Sequence, residues 1–417
     1  MTETTITAPA ARRVADPLRL ATELFAAAEQ PALLYERAGT WTLASGAVRE
    51  VVLTARGLTV RAADGTRRTE PVGDQPLQQV AAAVAGLTAY GWIGFDLSFL
   101  LHGLPVPQTD EPLLHLFVPE REVMISEGAD PGDGIAARSM PAPVAVDTVE
   151  PGGEYRRAVA GAVADIRARR LQKVILSRVV EIGHDVDLPA TYETGRRANT
   201  PARSFLLDVG GLRSAGFSPE TVVEVGADGR VSTQPLAGTR AFFGDAAVDA
   251  GLRADLLDDS KEIFEHAISV RLACDELRQV CAAGTVRVDD FMDVAERGSV
   301  QHLASRVSGR LADGNNGWHA LAALFPAITA SGVPKAAACA TIRRYERQPR
   351  GLYSGAVLTV GADGSIDAAL VLRSIFQQAG RTWLRAGAGI VDQSTPDREF
   401  EETCEKLRSI SRFVVPA

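Results

Sequence analysis

Apolar and polar positions along the chain fall into short strand-like runs and longer helical stripes. A helical stripe that begins at Glu154 is followed by Lys173-Val-Ile-Leu-Ser-Arg-Val-Val-Glu-Ile182, whose β-branched residues are typical of a strand. Similar runs predict strands at residues 204–208, 221–225, 286–292, 355–360, 368–377 and 382–386. Helical spacing predicts helices near residues 256–282, 317–325, 334–345 and 396–411. The pattern therefore predicts a mixed α/β protein with a large sheet content.

The pattern is weaker in the first part of the chain, where short strands and helices alternate with turn signals. Residues 1–14 contain no continuous apolar run, and we expect them to form a flexible N-terminal tail. Residues 128–153 are rich in Pro, Gly, Ala and Asp, and they predict a connection between an N-terminal portion and the rest. This connection need not separate independent domains.

Composition is that of an ordinary soluble globular protein. The 417 residues are 46% apolar and 23% charged, with a net charge of −8, which argues against nucleic acid as a partner. The chain has no run of about 18 apolar residues that could span a membrane, so we expect a cytoplasmic protein. Only four of the 44 basic residues are lysines, at positions 173, 261, 335 and 406, which makes each of them a candidate for a specific role.

The C-terminal segment joins small residues to an acidic helix. Gly387 and Gly389 predict a turn whose backbone N–H groups are open to close approach. In the helix that follows, Glu399, Glu402 and Lys406 are spaced at i, i+3 and i+7, so their side chains lie along one side. This segment could serve both an anion and a cation.

A second acidic pair, Glu262 and Glu265, has the same i, i+3 spacing on another predicted helix. If the two helices face each other, four carboxylates in one cleft would repel unless a divalent cation neutralised them, and an all-oxygen set suits Mg²⁺. The alternative is that each pair belongs to a solvated helix face.

Two further side chains have the chemistry of a base and an acid. Lys173 begins an apolar strand, where a lysine shielded from solvent can act as a base, although a strand-end surface lysine is the alternative. Glu220 follows the rigid Ser218-Pro219 turn, which could hold a general acid or could simply mark a strand boundary.

Three other features could contact a ligand. His302 lies in a strand-like run, where a lone histidine is more often a core residue than a catalyst. Arg373 is flanked by apolar residues and, if buried, needs an anionic partner, either a substrate carboxylate or an internal Asp or Glu. The turn Pro235-Leu-Ala-Gly-Thr-Arg240 can offer N–H groups and a hydroxyl.

Together these segments resemble the chorismate-utilising enzymes, the family of the anthranilate, aminodeoxychorismate, isochorismate and salicylate synthases. Seven motifs in the family's order carry the resemblance: Lys173-Val-Ile-Leu-Ser-Arg178, Ser218-Pro-Glu220, Pro235-Leu-Ala-Gly-Thr-Arg240, Ser260-Lys-Glu-Ile-Phe-Glu-His266, Arg297-Gly-Ser-Val-Gln-His302, Pro349-Arg-Gly-Leu-Tyr-Ser-Gly355 and Arg385-Ala-Gly-Ala-Gly-Ile390 with Glu399-Phe-Glu-Glu402. The resemblance implies one large α/β unit over residues 15–417, with a β-sandwich-like core ringed by helices. Residues 15–150 would be its N-terminal portion and residues 151–417 its motif-bearing catalytic portion.

The resemblance also implies roles for individual residues. Lys173 would be the base that activates water for attack at C2 of chorismate, and Glu220 the acid that protonates the departing C4 hydroxyl. Mg²⁺ would be held by Glu262, Glu265, Glu399 and Glu402, directly or through water. The substrate would be lined by Gly238, Thr239, His302, Thr329, Tyr353, Arg373, Gly387, Gly389 and Lys406.

Two positions separate the branches of this family. The water-using enzymes carry a lysine at the position of Lys173, and the aminodeoxychorismate branch carries a lysine where this chain has Ala237. The chain is most similar to the salicylate synthases of siderophore pathways, which implies conversion of chorismate through isochorismate to salicylate and pyruvate. The alternatives are an isochorismate synthase that stops after the first step and a non-catalytic chorismate-binding homologue. A monomer is the default expectation, because no docking signal for a partner subunit stands out.

Overall fold

The computed structural model describes residues 10–106, 109–128, 141–149, 152–298 and 300–417. Short strands dominate the N-terminal portion, whereas the longest helices lie in the rest of the chain. The N-terminal elements are β1 (Ala10–Val14), α1 (Pro17–Ala26), β2 (Ala32–Arg37), β3 (Thr40–Ser45), β4 (Arg49–Leu53), β5 (Leu58–Ala62), β6 (Arg67–Glu70), α2 (Pro76–Ala83), β7 (Ala89–Ile93), α3 (Leu97–Leu101), β8 (Leu114–Val118) and β9 (Arg121–Glu127).

The remaining elements carry all the motifs. They are α4 (Gly153–Arg167), β10 (Lys173–Glu181), α5 (Leu188–Ala198), β11 (Arg203–Val209), β12 (Leu212–Ser218), β13 (Thr221–Val225), β14 (Arg230–Thr233), β15 (Leu236–Ala241), α6 (Ala246–Asp258), α7 (Ser260–Arg278), β16 (Arg287–Arg297), β17 (Val300–Arg310), α8 (Gly317–Leu324), a 3₁₀ turn (Ile328–Ala330), β18 (Gly332–Val333), α9 (Lys335–Tyr345), β19 (Ala356–Val360), β20 (Ile366–Leu370), β21 (Ser374–Gln378), β22 (Arg381–Ile390) and α10 (Pro396–Ser411). No helix among the described residues is long and apolar enough to cross a membrane.

The strands form two large sheets that pack against each other. The first has the order β1-β9-β3-β2-β11-β12-β21-β22-β10-β18, and the second has the order β15-β17-β14-β13-β20-β19-β7-β8-β4-β5-β6, with β16 also paired to β17. Both sheets combine strands from the two portions of the chain, since β2 pairs with β11 and β7 pairs with β19. Leu33 and Phe205 of the first sheet share a buried cluster with Trp92 and Val357 of the second. The predicted mixed α/β architecture, with a sandwich-like core and surrounding helices, is confirmed.

Strand β10 owes its position to burial on the side where helices cover it. Val174 and Leu176 pack in one apolar cluster with Val159 of α4, Ile342 of α9 and Phe400 of α10. The strand is bounded by β22 on one edge and by the short β18 on the other. Lys173, its first residue, is thereby fixed at the end of a buried strand.

Several predicted elements differ from the observed ones. The strand predicted over residues 368–377 is divided into β20 and β21, which belong to different sheets, because Arg373 between them has a left-handed backbone with φ of 51°. The helix predicted near residues 256–282 is two helices that meet at Asp259, which caps α7 through the N–H groups of Lys261 and Glu262. The turn predicted at residues 235–240 is β15, which is irregular in register between Ala237 and Thr239.

The last five residues of the predicted N-terminal tail, residues 1–14, form a strand in the structure. Residues Ala10–Val14 form β1, which pairs in parallel with β9, and Val14 is buried. The edge of β9 offers unpaired backbone groups, and the tail satisfies them. Residues 1–9, the rest of the predicted tail, lie outside the described residues, as do residues 129–140 and 150–151 of the predicted connection.

Candidate active site

Glu220 lies in the short link between β12 and β13, where Pro219 fixes the turn. The Ser218 hydroxyl contacts the carbonyl oxygen of Glu220 at 2.7 Å, which holds the link closed. The Glu220 side chain points inward, and only 4% of the residue is exposed. The Thr329 hydroxyl donates a hydrogen bond of 2.7 Å to one of its carboxyl oxygens.

The environment of Glu220 favours its protonated form. Burial raises the pKa of Glu220 to about 8, and the hydrogen bond from Thr329 and the positive charge of Lys173 offset this effect only in part. A carboxyl group with this pKa carries a proton at neutral pH and can donate it to a leaving group. The Glu220 position is therefore suited to a general acid.

Lys173 lies close enough to Glu220 for its positive charge to lower the pKa of that carboxyl group. Only 9% of the residue is exposed, and its ammonium group donates a short hydrogen bond to Oε1 of Glu265 on α7. Burial alone would raise the pKa of Glu265, but the charge of Lys173 and the hydrogen bond from it keep that pKa below its ordinary value. The interpretation of Lys173 as a strand-end surface residue is therefore wrong.

The two predicted Glu pairs lie on α7 and α10, and the charges of Lys261 and Lys406 act on glutamates of both helices. Burial raises the pKa of Glu262, and the charge of Glu265 raises it further. Burial and the charge of Glu402 do the same for Glu399. Lys261 lowers the pKa of both Glu262 and Glu399, so its positive charge acts on both helices. The solvated-face interpretation does not fit this shared environment.

As these side chains stand, two of the four carboxylates are bound by lysines. Glu265 pairs with Lys173, and Glu402 pairs with Lys406 at 2.7 Å. Across the described ranges, no three His, Cys, Asp or Glu side chains are arranged to hold a metal ion together. However, Oε2 of Glu399 is buried and has no hydrogen-bond partner there. The donor set is all carboxylate oxygen, so its chemistry fits Mg²⁺.

Arg373 and His302 form a hydrogen-bonded pair beside β15. A guanidinium N–H of Arg373 donates to Nε2 of His302 at 2.6 Å, and another donates to the carbonyl of Arg297 at 3.1 Å. Nδ1 of His302 lies 3.0 Å from the Thr239 hydroxyl and 3.3 Å from the Gly238 carbonyl. Because arginine can only donate, Nε2 must accept and the proton of the neutral ring lies on Nδ1.

The positive charge of Arg373 is not balanced by His302, because the imidazole ring is neutral. Burial and the charges of Arg373 and Lys406 hold the pKa of His302 well below its ordinary value, so the ring is neutral. Burial, with a smaller effect of Arg297, lowers the pKa of Arg373 to about 10. No carboxylate of the described residues forms an ion pair with Arg373.

Three glycines of the predicted site lie where a Cβ atom would crowd its neighbours. A Cβ at Gly238, where φ is +84°, would lie 3.2 Å from a carboxyl oxygen of Glu262. A Cβ at Gly389 would lie 3.2 Å from Cε of Lys173, and one at Gly387 would lie 2.7 Å from the Leu176 carbonyl. The turn predicted at Gly387 and Gly389 is wrong, because both glycines lie within β22 and pair with β10.

Lys406 and Tyr353 complete the predicted set. Nζ of Lys406 donates to the Gly387 carbonyl at 3.0 Å as well as to Glu402. Tyr353 is 3% exposed, and burial raises its pKa against the opposing charges of Arg350 and Lys406. The structure thus brings every predicted site residue into one region. The scarcity of lysine singled out Lys261 in the sequence, but no feature of the sequence placed it near the two Glu pairs.

Comparison with known proteins places this arrangement in a family. A family model for chorismate binding enzymes matches residues 30–412. A salicylate synthase from Mycolicibacterium paratuberculosis is 45% identical over 426 aligned positions, which cover 96% of this chain and 94% of that protein.

Solved structures show the same fold. Anthranilate synthase component I from Streptococcus pneumoniae superposes with a TM-score of 0.76 at 26% identity, covering 90% of this chain and 93% of that one. The menaquinone-specific isochorismate synthase from Escherichia coli gives a TM-score of 0.72 at 20% identity, covering 94% of this chain and 90% of that one, and at this identity it shows the fold alone. The motifs, the fold and the family model agree, and the chain belongs to the chorismate binding enzyme family.

Proposed function

We propose that this protein is a magnesium-dependent salicylate synthase that converts chorismate through isochorismate to salicylate and pyruvate. The observation that carries the proposal is that Glu220 is buried, with a pKa raised to about 8, within range of the positive charge of the buried Lys173. Acid and base on opposite sides of a substrate are what replacement of one hydroxyl by another requires. The similarity to a salicylate synthase over nearly the whole chain supports the second step.

In the first step, Lys173 acts in its uncharged amine form and takes a proton from the water that attacks C2 of chorismate, while Glu220 gives its proton to the C4 hydroxyl, which departs as water. Thr329 keeps the Glu220 carboxyl oriented. Arg373 and Tyr353 bind the pyruvyl carboxylate and hold the substrate in one geometry. When bound at Glu262, Glu265, Glu399 and Glu402, Mg²⁺ would neutralise the ring carboxylate and orient it.

In the second step, pyruvate leaves isochorismate in the same site by a concerted rearrangement that depends on how the substrate is folded. His302 is neutral and hydrogen-bonded on both nitrogens, so it lines the site and orients Arg373. The same residues thus account for both steps.

Incubation of the purified protein with chorismate and Mg²⁺, followed by chromatography, tests the proposal. We expect salicylate and pyruvate in equal amounts. Isochorismate that accumulates without pyruvate would identify an isochorismate synthase instead. Adding ammonium tests the nucleophile, because anthranilate as the product would exclude the water-using reaction. Chorismate that binds but remains unchanged would identify a non-catalytic homologue.

A further inference from the structure

Glu346 is a buried carboxylate that takes no part in the proposed reaction. It follows α9, and its side chain is 5% exposed. Its carboxyl group binds two guanidinium groups, those of Arg350 at 2.7 Å and Arg385 at 2.5 Å, whose side chains are 1% and 3% exposed. Burial alone would raise the pKa of Glu346, but the charges of Arg350 and Arg385 lower it, so the carboxylate is ionised.

The ion pair of Glu346 and Arg350 binds the edge of β10 beyond the residues that pair with β18. β18 pairs only with Lys173 and Val174, and the Ile175 N–H donates to the Ser331 carbonyl. Beyond it, the Ile175 carbonyl accepts from Nη2 of Arg350 at 2.8 Å, and the Ser177 N–H donates to Oε1 of Glu346 at 2.7 Å. The pair supplies the donor and the acceptor that a neighbouring strand would offer.

The same two arginines also contact residues beside Thr329, on β10 and at Tyr353. Nη1 of Arg350 donates to the Ala330 carbonyl at 2.7 Å, next to Thr329, which binds Glu220. Nε of Arg385 on β22 donates to the Ser177 hydroxyl at 2.9 Å. The guanidinium carbons of Arg350 and Arg385 lie 5.7 Å and 5.6 Å from the ring centroid of Tyr353.

We propose that Glu346 is a positioning residue for the reaction. Acting through Arg350 and Arg385, its carboxylate fixes β10, and with it Lys173, relative to the 3₁₀ turn that holds Glu220 through Thr329. The proposal rests on the proposed function for the identity of the acid and the base. A small displacement of one reacting group relative to another is enough to slow catalysis, since a misplacement of about 1 Å can cost about 10²-fold in rate.

A second buried ion pair offers a matched control. Arg203 binds Asp367 through two hydrogen bonds of 2.9 Å and 2.7 Å, with side chains that are 10% and 8% exposed. Asp367 lies on β20, and it binds the Tyr35 hydroxyl rather than any residue of the site. Asp367→Asn therefore removes a comparable buried charge without touching β10 or the 3₁₀ turn.

The experiment compares Glu346→Asp, Glu346→Gln and Asp367→Asn by steady-state kinetics, thermal unfolding and amide hydrogen exchange. Glu346→Asp keeps the charge but withdraws the carboxylate by one methylene, so it remains informative if Glu346→Gln fails to fold. We expect all variants to lose stability. Only the Glu346 variants should lose about 10²-fold in kcat with little change in KM, and only they should lose protection at the Ser177 amide.

Two results would overturn the inference. One is a Glu346→Asp variant that keeps kcat while losing stability like Asp367→Asn. The other is unchanged exchange at the Ser177 amide. Failure of the proposed function is recognised separately, because it changes the products of the unmodified protein, whereas the exchange measurement requires no turnover.

Discussion

Thr329 donates a 2.7 Å hydrogen bond to the buried carboxyl group of Glu220. Burial raises the pKa of Glu220 to about 8, and this hydrogen bond opposes the rise because it favours the ionised form. Thr329 therefore orients the Glu220 carboxyl group and also lowers the pH at which this group loses its proton.

Replacing Thr329 by Val should move the alkaline limb of the pH profile upward. The acid acts only while protonated, so the rate falls as pH rises through its pKa. Loss of the hydrogen bond raises that pKa further, and the decline begins at a higher pH. The profile of kcat/KM against pH measures the shift. Ser331→Ala is the control, because the Ser331 hydroxyl binds the Ala327 carbonyl, and a shift in this variant would contradict the assignment.

Replacing Glu220 by Gln should lower kcat by about 10²-fold to 10⁴-fold, the usual contribution of a positioned acid. The effect on stability depends on pH. The folded pKa lies above the unfolded one, so the contribution of Glu220 is full below the unfolded pKa. It then declines by about 1.4 kcal/mol per pH unit until pH reaches the folded pKa. Gln has no such decline. The free energies of unfolding of the two proteins should therefore converge or cross as pH rises toward about 8, and parallel curves would refute the raised pKa.

Replacing Lys173 by Met should strongly reduce turnover and leave the fold intact. The methionine has a similar length but cannot accept a proton from water, so a loss of about 10²-fold to 10⁴-fold in kcat is expected. Lys335→Met is the matched control, since Lys335 is another buried lysine, paired with Glu276 at 2.7 Å. We expect this control to lose stability and keep turnover. Circular dichroism and product chromatography check both variants, and an active Lys173→Met protein would rule out the base.

The sequence predicted those parts of the site that depend on local spacing. The Glu399 and Glu402 pair, its helix and the proline at its first position follow from the helical period, and α10 has the predicted bounds. Lys173 as the first residue of β10 follows from the apolar run behind it. In both cases the local pattern and the tertiary structure agree.

The parts that sequence did not predict depend on contacts between distant residues. The apolar run around Arg373 looks like one strand, because nothing local shows that the two halves join different sheets. Gly387 and Gly389 look like a turn, whereas their small size serves the close approach of β10. Glu346 carries no motif, since its partners Ser177, Arg350 and Arg385 meet it only in the fold.

The hydrogen bond between Arg373 and His302 predicts different effects of two substitutions at position 302. His302→Gln keeps an oxygen that can accept from Arg373, whereas His302→Leu leaves the guanidinium without that partner. We expect the Leu variant to raise KM for chorismate more than the Gln variant, because Arg373 loses its orientation. Equal KM values in the two variants would show that the hydrogen bond of 2.6 Å has no part in binding.

Metal binding should be visible without turnover. A ligand that binds only the folded state stabilises it by about 2.7 kcal/mol at 100 times its Kd, so the Tm of the chelator-treated protein should rise as Mg²⁺ is added. Glu399→Gln should weaken this response, because Oε2 of Glu399 is a buried oxygen with no hydrogen-bond partner in the described residues. Glu401→Gln on the same helix is the control, since Glu401 is exposed and pairs with Arg408. If both variants responded to Mg²⁺ as the unmodified protein does, the metal would have to bind away from α10.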